Sequence, residues 1–243
     1  MAPLDFETLY LRARTIEKRI YSDEIVAQLP IIDKTDIHYQ EWRIRKSSLS
    51  KLSDHINKKG APVSILEIGC GNGWFANQLA LLHNVTVCGI DPNRKEIEQA
   101  KKVFQKNPNL KFLLGDLQAN QSVLLKYDII LLAGTIQYFP DLNNLLNRIM
   151  QLLTDKGEIH IIDSPFYSLK EIAAAKKRTL NYYSKLGVPE LSEFYHHHSL
   201  TELSSYSPKF LQRPKRSILF LKKCFGLPAS PFPWVVILAQ ENK

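Results

Sequence analysis

The spacing of hydrophobic positions changes near residue 63. Within residues 1–60, apolar side chains recur at helical intervals, first over residues 6–20 and again over residues 37–56. Gly60 and Pro62 end the second pattern. These intervals predict an N-terminal helical cap over residues 1–60.

Beyond this cap, short apolar runs alternate with amphipathic segments. The runs predict strands at 63–69, 85–91, 110–116, 127–134 and 157–163. Helices are predicted between them at 73–83, 93–105 and 141–153. Runs as continuous as DIILLA are typical of strands covered on both faces. The alternation predicts an α/β fold with a doubly wound, mostly parallel sheet.

After residue 165 the pattern is weaker. It predicts a helix at 168–186, a short helix beginning at Ser199 with Glu202 completing a capping box, and a last strand in PWVVILAQE. The run SILFLKKC is compatible with a strand or with a helical turn, and its period does not decide between them.

Composition narrows the class of protein. With 243 residues and 44% hydrophobic residues, the chain suits one α/β domain with additions or two small domains. It has neither a signal-peptide pattern nor a long apolar run, so we expect a cytoplasmic protein. Cys70, Cys88 and Cys224 lack paired spacing, and we therefore expect neither a disulfide framework nor a metal site. The net charge of +8 suggests an anionic partner, which charge alone does not identify.

Three glycines follow the first predicted strand in the run LEIGCGNGW. Gly69, Gly71 and Gly73 allow a sharp turn and a close approach of the backbone to a ligand at the start of a helix. A dinucleotide fingerprint requires glycine at position 74, which is Trp74. This difference disfavours a nicotinamide or flavin cofactor.

Acidic residues end the next two predicted strands. Asp91 ends the second strand, where a carboxylate can accept hydrogen bonds from both hydroxyls of a ribose. Asp116 ends the third strand, in a position to meet an adenine ring. Each aspartate has an alternative role as a helix cap, and the glycines have one as a simple turn.

These motifs, in this order, resemble those of class I S-adenosylmethionine-dependent methyltransferases. The resemblance rests on EIGCGNG, VCGID, GD, YDIILLAG and LLTDKGEIHIID, and it extends from about Val63 to Phe166. It implies a seven-stranded sheet of the class I methyltransferase type, with residues 61–243 as the core and residues 166–230 as an inserted substrate or lid segment. It also implies S-adenosylmethionine as cofactor and S-adenosylhomocysteine as product.

The resemblance assigns a cofactor-binding role to ten residues. The glycine loop would line the methionine portion, Asp91 would hold the ribose, and Asp116 with Leu117 would meet the adenine. The full set is Glu67, Gly69, Cys70, Gly71, Gly73, Asp91, Pro92, Asp116, Leu117 and Gly134. In addition, either Arg43 or Arg45 is a candidate partner for the cofactor carboxylate.

The acceptor is less clearly indicated. Methyl transfer depends mainly on positioning, and a base is needed only where the acceptor must lose a proton. After the fourth strand the sequence reads GTIQY, without the Asn/Asp-Pro-Pro-aromatic loop found in enzymes that methylate amino groups of bases. We therefore expect a small-molecule acceptor, methylated on oxygen or nitrogen. A nucleic-acid methyltransferase and a non-catalytic S-adenosylmethionine-binding protein remain the alternatives.

Candidate catalytic residues lie after the fourth and fifth strands. His196, His197 and His198 could supply a general base, although three consecutive imidazoles cannot converge on one metal ion. Their alternative role is packing in a loop. Tyr138 and Asp163 are further candidates, because each follows a strand whose end points into the crevice.

A basic segment precedes the last strand. Arg213, Lys215, Arg216, Lys222 and Lys223 surround the apolar run ILFL. The segment is interpreted as a site for a phosphorylated or lipid-linked acceptor, as a peripheral membrane contact, or as a solvated basic face over ordinary core residues. The sequence does not indicate an oligomeric state.

Overall fold

The computed structural model describes residues 5–117 and 125–239, and its centre is a mixed sheet. Within these residues the sheet has seven strands in the order β3-β2-β1-β4-β5-β7-β6. β7 runs antiparallel to both β5 and β6, whereas the other pairs are parallel. The strands are β1 (Val63–Ile68), β2 (Val85–Asp91), β3 (Leu110–Leu114), β4 (Tyr127–Ala133), β5 (Leu153–Ile162), β6 (Lys209–Gln212) and β7 (Trp234–Leu238). The predicted fold class is confirmed.

Helices cover both faces of the sheet. They are α1 (Phe6–Ile16), α2 (Asp23–Gln28), α3 (Tyr39–Asn57), α4 (Trp74–Ala80), α5 (Arg94–Phe104), α6 (Leu142–Met150), α7 (Leu169–Lys185) and α8 (Arg216–Cys224). Apolar residues of α3, α4 and α5 form one core cluster with the sheet, and those of α6 form another. The run SILFLKKC, whose period fits a strand or a helix, lies in helix α8. The strand β5 begins four residues before the strand predicted at 157–163.

The first helix belongs to neither main cluster. Leu9 and Ala13 of α1 pack instead against Tyr183, Val188 and Leu191, on α7 and the short 3-10 helix that follows it. The N-terminal segment and the segment after β5 thus meet over the sheet. The division of the chain at residue 60 remains a prediction, since α3 shares its core with β1.

The turn between β1 and α4 requires glycine for packing as well as for conformation. Gly73 has φ +75°, and an added Cβ would lie 2.3 Å from the ring of Phe112 and 2.9 Å from the Cβ of Ala100. Gly60 has a similar φ of +64° but open space around it. A comparison of alanine substitutions at Gly73 and Gly60 therefore distinguishes the cost of steric overlap from that of backbone strain.

We expect Gly73→Ala to lower the free energy of unfolding by about 2 kcal/mol more than Gly60→Ala does. Both substitutions place an alanine in the left-handed region, but only the first also forces atoms into a packed core. Urea unfolding of the two variants and the unchanged protein measures the difference. Equal losses of unfolding free energy in the two variants would mean that Phe112 and Ala100 move aside without an energetic penalty.

Candidate active site

A cavity of about 380 Å³ opens at the carboxyl ends of β1 to β5. The position lies beside the sheet's switch point, where β1 has β2 on one side and β4 on the other. Nine of the ten residues predicted to bind cofactor line this cavity: Glu67, Gly69, Cys70, Gly71, Asp91, Pro92, Asp116, Leu117 and Gly134. The tenth, Gly73, does not line it and serves the turn and its packing.

Asp91 fixes the glycine loop from the neighbouring strand. Its Oδ2 accepts a hydrogen bond from the Gly71 backbone N–H at 2.9 Å, and its Oδ1 accepts one from the Asn93 N–H at 2.8 Å. Each carboxylate oxygen retains a further lone pair, so the group can still accept from a ribose. Burial raises the pKa of Asp91 despite these two bonds.

Glu67 supplies a buried acid at the floor of the cavity. Its side chain is 2% exposed, and its Oε2 has no hydrogen-bond partner among the described residues. Burial, and then the charge of Asp91, raise the pKa of Glu67 to about 8. An orphaned acceptor of this kind fits a ligand that carries an N–H donor and a positive charge, as S-adenosylmethionine does.

One further acid in the cavity was not predicted. Glu96, in the first turn of α5, lines the cavity, and burial followed by the charge of Asp91 raises its pKa to about 7. Its position three residues after the helix cap Asn93 is the signal that could have indicated it, since that turn begins directly beyond Asp91. The site therefore concentrates carboxyl groups that a cationic ligand would stabilise in the charged form.

An aromatic roof covers the cavity, and its members on α1 were not predicted. Phe6 and Tyr10 of α1 lie with Tyr138 and Phe194 around it, with ring centroids 5.9 Å apart for Tyr10 and Tyr138 and 5.4 Å apart for Phe6 and Phe194. Arg14 extends the same face of α1 by one turn, with its guanidinium 4.7 Å from the Tyr10 ring centroid. The four-residue spacing of these α1 side chains is the signal in the sequence.

Of the three arginines between α1 and β1, two line the cavity and one does not. Arg45 lines the cavity, lies over the Trp42 ring and is paired with Glu41. Arg19 lines it too and is paired with the same glutamate at 2.6 Å. Arg43 does not line the cavity, and its guanidinium donates to the Gly226 carbonyl. Of the two predicted candidates for the cofactor carboxylate, only Arg45 is near enough to serve.

Two of the predicted catalytic residues reach the cavity. Tyr138 belongs to the roof, and Asp163 follows β5 with φ +50°. The Oδ1 of Asp163 accepts hydrogen bonds from Ser48 Oγ at 2.8 Å and Ser230 Oγ at 3.0 Å, and burial raises the pKa of its carboxyl. Asp163 thus joins α3 to the segment before β7.

The three consecutive histidines lie beside the cavity and do not line it. The Nε2 of His198 is 3.1 Å from the Ile136 carbonyl and 3.0 Å from the Phe139 carbonyl, on either side of Tyr138. His197 is buried with its Nε2 bonded to Thr179, and the backbone N–H of His196 donates to the Gln137 carbonyl. Their catalytic role stays a prediction, whereas the contacts of His196 and His198 brace the loop after β4.

One cluster among the described residues has the composition of a metal site. Nitrogen atoms of His55 and His160 lie 2.8 and 2.9 Å from Glu158 Oε2, away from the cavity. Trp234 Nε1 donates to His160 Nδ1 at 3.0 Å, which places the proton of a neutral imidazole on Nε2. His160 Nε2, the atom that would bind a metal ion, therefore already donates a hydrogen bond to Glu158. The cluster joins α3 to β5 by hydrogen bonds.

Comparisons with known proteins agree with this geometry. A family model described as a methyltransferase domain matches residues 59–209. The malonyl-[acyl-carrier protein] O-methyltransferase 1 of Ilyobacter polytropus is 26% identical over 190 residues, 76% of this chain and 70% of that protein. The corresponding enzyme of Priestia megaterium is 25% identical over 198 residues, 79% and 70% of the two chains.

A solved structure supports the fold over nearly the whole chain. The plantazolicin methyltransferase BpumL, crystallised with a monoazolic desmethylPZN analog and S-adenosylhomocysteine, superposes with a TM-score of 0.57 and 16% identity, covering 97% of this chain and 98% of that one. Because the family model spans more than half of the chain and the cavity carries the predicted cofactor residues, the protein belongs to the methyltransferase domain family and is an S-adenosylmethionine-dependent methyltransferase.

Proposed function

We propose that the protein methylates a carboxylate oxygen of a small acyl acid. The observation that carries this proposal is the make-up of the cavity beyond its cofactor residues. There the lining is largely aromatic and includes Arg14, while Arg19 and Arg45 are paired with Glu41. The acids Glu96 and Asp163 also line it, but none of the described lining residues is a histidine or a lysine. A carboxylate is nucleophilic without losing a proton, so such a site needs a cation to hold the acceptor and no general base.

Arg14 is suited to holding a carboxylate. Its side chain is 25% exposed, and one guanidinium nitrogen pairs with Glu17 Oε2 at 3.1 Å. The guanidinium has further N–H groups that can donate to a second carboxylate. Tyr10 and Tyr138 flank it, and their rings would exclude water from the reacting oxygen. Exclusion of water strengthens the interaction of the guanidinium with an anion.

The relatives support the same class of acceptor. The two bacterial enzymes are named for O-methylation of a malonyl group attached to an acyl carrier protein. The free carboxylate of a malonyl thioester has the charge and size that the arginine and the roof would accommodate. Bound S-adenosylmethionine supplies an activated methyl group, and the chain's own residues orient the acceptor oxygen toward it.

The test uses the purified protein, S-adenosylmethionine and malonyl-CoA, with matched amines and phenols as competing acceptors. With S-adenosylmethionine held at saturation, we expect S-adenosylhomocysteine release with the carboxylate, at a rate independent of pH well above the acceptor's pKa. Arg14→Gln should raise KM for the carboxylate about tenfold with little change in cofactor affinity, because one charge-assisted contact is lost.

Arg12→Gln is the matched control, since Arg12 is exposed on the same helix. It should leave KM unchanged. Turnover of amines or phenols with no turnover of carboxylates would refute the proposed acceptor class. Equal kinetics of the two arginine variants would remove Arg14 from the acceptor site.

A further inference from the structure

The helix α8 exposes its apolar side chains to solvent. Phe220 is 69% exposed, Leu221 57% and Ile218 48%. The turn after the helix continues this pattern, with Phe225 72% exposed and Leu227 56%. These five residues are named the α8 patch. A surface helix normally turns such residues toward the core, so the reversed arrangement indicates that the patch is covered by a partner.

The surroundings of the patch are strongly basic. Between Glu202 and Glu241 the sequence contains four lysines and two arginines and no acidic residue. Among them, Lys215 directly precedes α8 and Lys222 lies within it. A partner that covers the patch must therefore combine an apolar layer with negative charge.

The α8 patch lies next to the active site. β6 has the same direction as β5, so it leads into α8 at the end of the sheet where the cavity opens. Just beyond the helix, Arg43 Nη2 donates to the Gly226 carbonyl at 2.6 Å. Ser230, farther along the same segment, donates to Asp163 in the cavity wall. Hydrogen bonds thus link the segment that follows α8 to α3 and to the cavity wall.

We propose that the α8 patch docks the protein on an anionic lipid bilayer. Aromatic and aliphatic side chains on and just after one helix, in a segment rich in lysine and arginine, are the composition of an interfacial helix. Apolar side chains would enter the boundary between headgroups and acyl chains, and the basic residues would meet anionic headgroups. No helix among the described residues is long and apolar enough to cross a membrane. The inference does not depend on the identity of the methyl acceptor.

The test is co-sedimentation of the intact protein with vesicles. One set contains phosphatidylcholine with about 30 mol% phosphatidylglycerol, and the other contains phosphatidylcholine alone. We expect at least about tenfold stronger binding to the anionic vesicles, weakened by added salt. The double variant Phe220→Ser/Phe225→Ser should weaken that binding more than about tenfold, because both rings leave the bilayer.

Leu81→Ser is the matched control, because Leu81 is 66% exposed at the end of α4. It should bind vesicles like the unchanged protein. Cofactor titration of each variant verifies that it is folded. No binding of the unchanged protein to anionic vesicles, or equal binding of the double variant, would overturn the proposal. So would a dimer that the double variant converts to monomer, or a patch-dependent complex with an acidic carrier protein in the absence of vesicle binding.

Discussion

Replacing Asp91 with alanine should weaken S-adenosylmethionine binding about a hundredfold. The carboxylate accepts hydrogen bonds from the backbone of Gly71 and Asn93, so its loss releases the loop that lines the cofactor site. The ribose would lose its acceptor at the same time. Each hydrogen bond to a charged group contributes about 1.5–3 kcal/mol, and a net loss of about 3 kcal/mol corresponds to this factor.

Calorimetric titration with S-adenosylmethionine, and separately with S-adenosylhomocysteine, measures the effect. Asp155→Ala serves as control, because Asp155 is exposed within β5 and does not line the cavity. Asp91→Asn keeps one acceptor oxygen, so its affinity for S-adenosylmethionine should lie between those of Asp91→Ala and the unchanged protein. An unchanged affinity in folded Asp91→Ala protein would show that cofactor binding depends neither on the Asp91 carboxylate nor on the loop geometry that it fixes.

The cofactor half of the site follows from local sequence. Strand ends in a parallel sheet meet at one edge, so the motifs around Gly69, Asp91 and Asp116 identify neighbours although they are far apart in the chain. Their positions are set by backbone geometry, which a short pattern of apolar residues and glycines encodes. For this reason one pattern predicts both the fold and the nine residues that line the cavity.

The acceptor half depends on contacts that no local pattern specifies. Tyr10 meets Tyr138 across more than a hundred residues, because α1 packs on the 3-10 helix after α7. The histidines show the same dependence: the sequence suggests a catalytic role, which stays a prediction, and only the structure places His198 Nε2 against two backbone carbonyls of the loop that carries Tyr138. Side-chain direction in an irregular segment is set by tertiary packing.

The segment around α8 could not be interpreted from its period either. A helix that buries its apolar face and one that exposes it have the same spacing of apolar residues. Only the structure shows that Phe220 and Phe225 face solvent while Leu219 is partly covered. The net positive charge, ambiguous as a whole-chain property, gains meaning from its concentration around this exposed patch.

The affinity for S-adenosylmethionine should rise about a hundredfold between about pH 6 and pH 8.5 through Glu67 alone. With a pKa near 8 in the free protein, the Glu67 carboxyl is mostly protonated at the lower pH, and a cationic ligand favours its ionised form. Below pH 8, binding must therefore remove the proton from Glu67. The affinity then falls by up to tenfold for each unit by which the pH decreases. Above pH 8 the contribution levels off.

Glu67→Gln removes the ionisable carboxyl, so the pH dependence of cofactor affinity in this variant is compared with that of the unchanged protein. Glu96, whose pKa is near 7, should then leave a shallower rise confined to lower pH. Titrations in buffers of different ionisation enthalpy count the protons released. A pH profile identical in the Gln variant and the unchanged protein would mean that Glu67 keeps its proton when the cofactor binds. The buried carboxyl would then donate a hydrogen bond to the cofactor and carry no charge toward it, because a protonated acid retains its O–H.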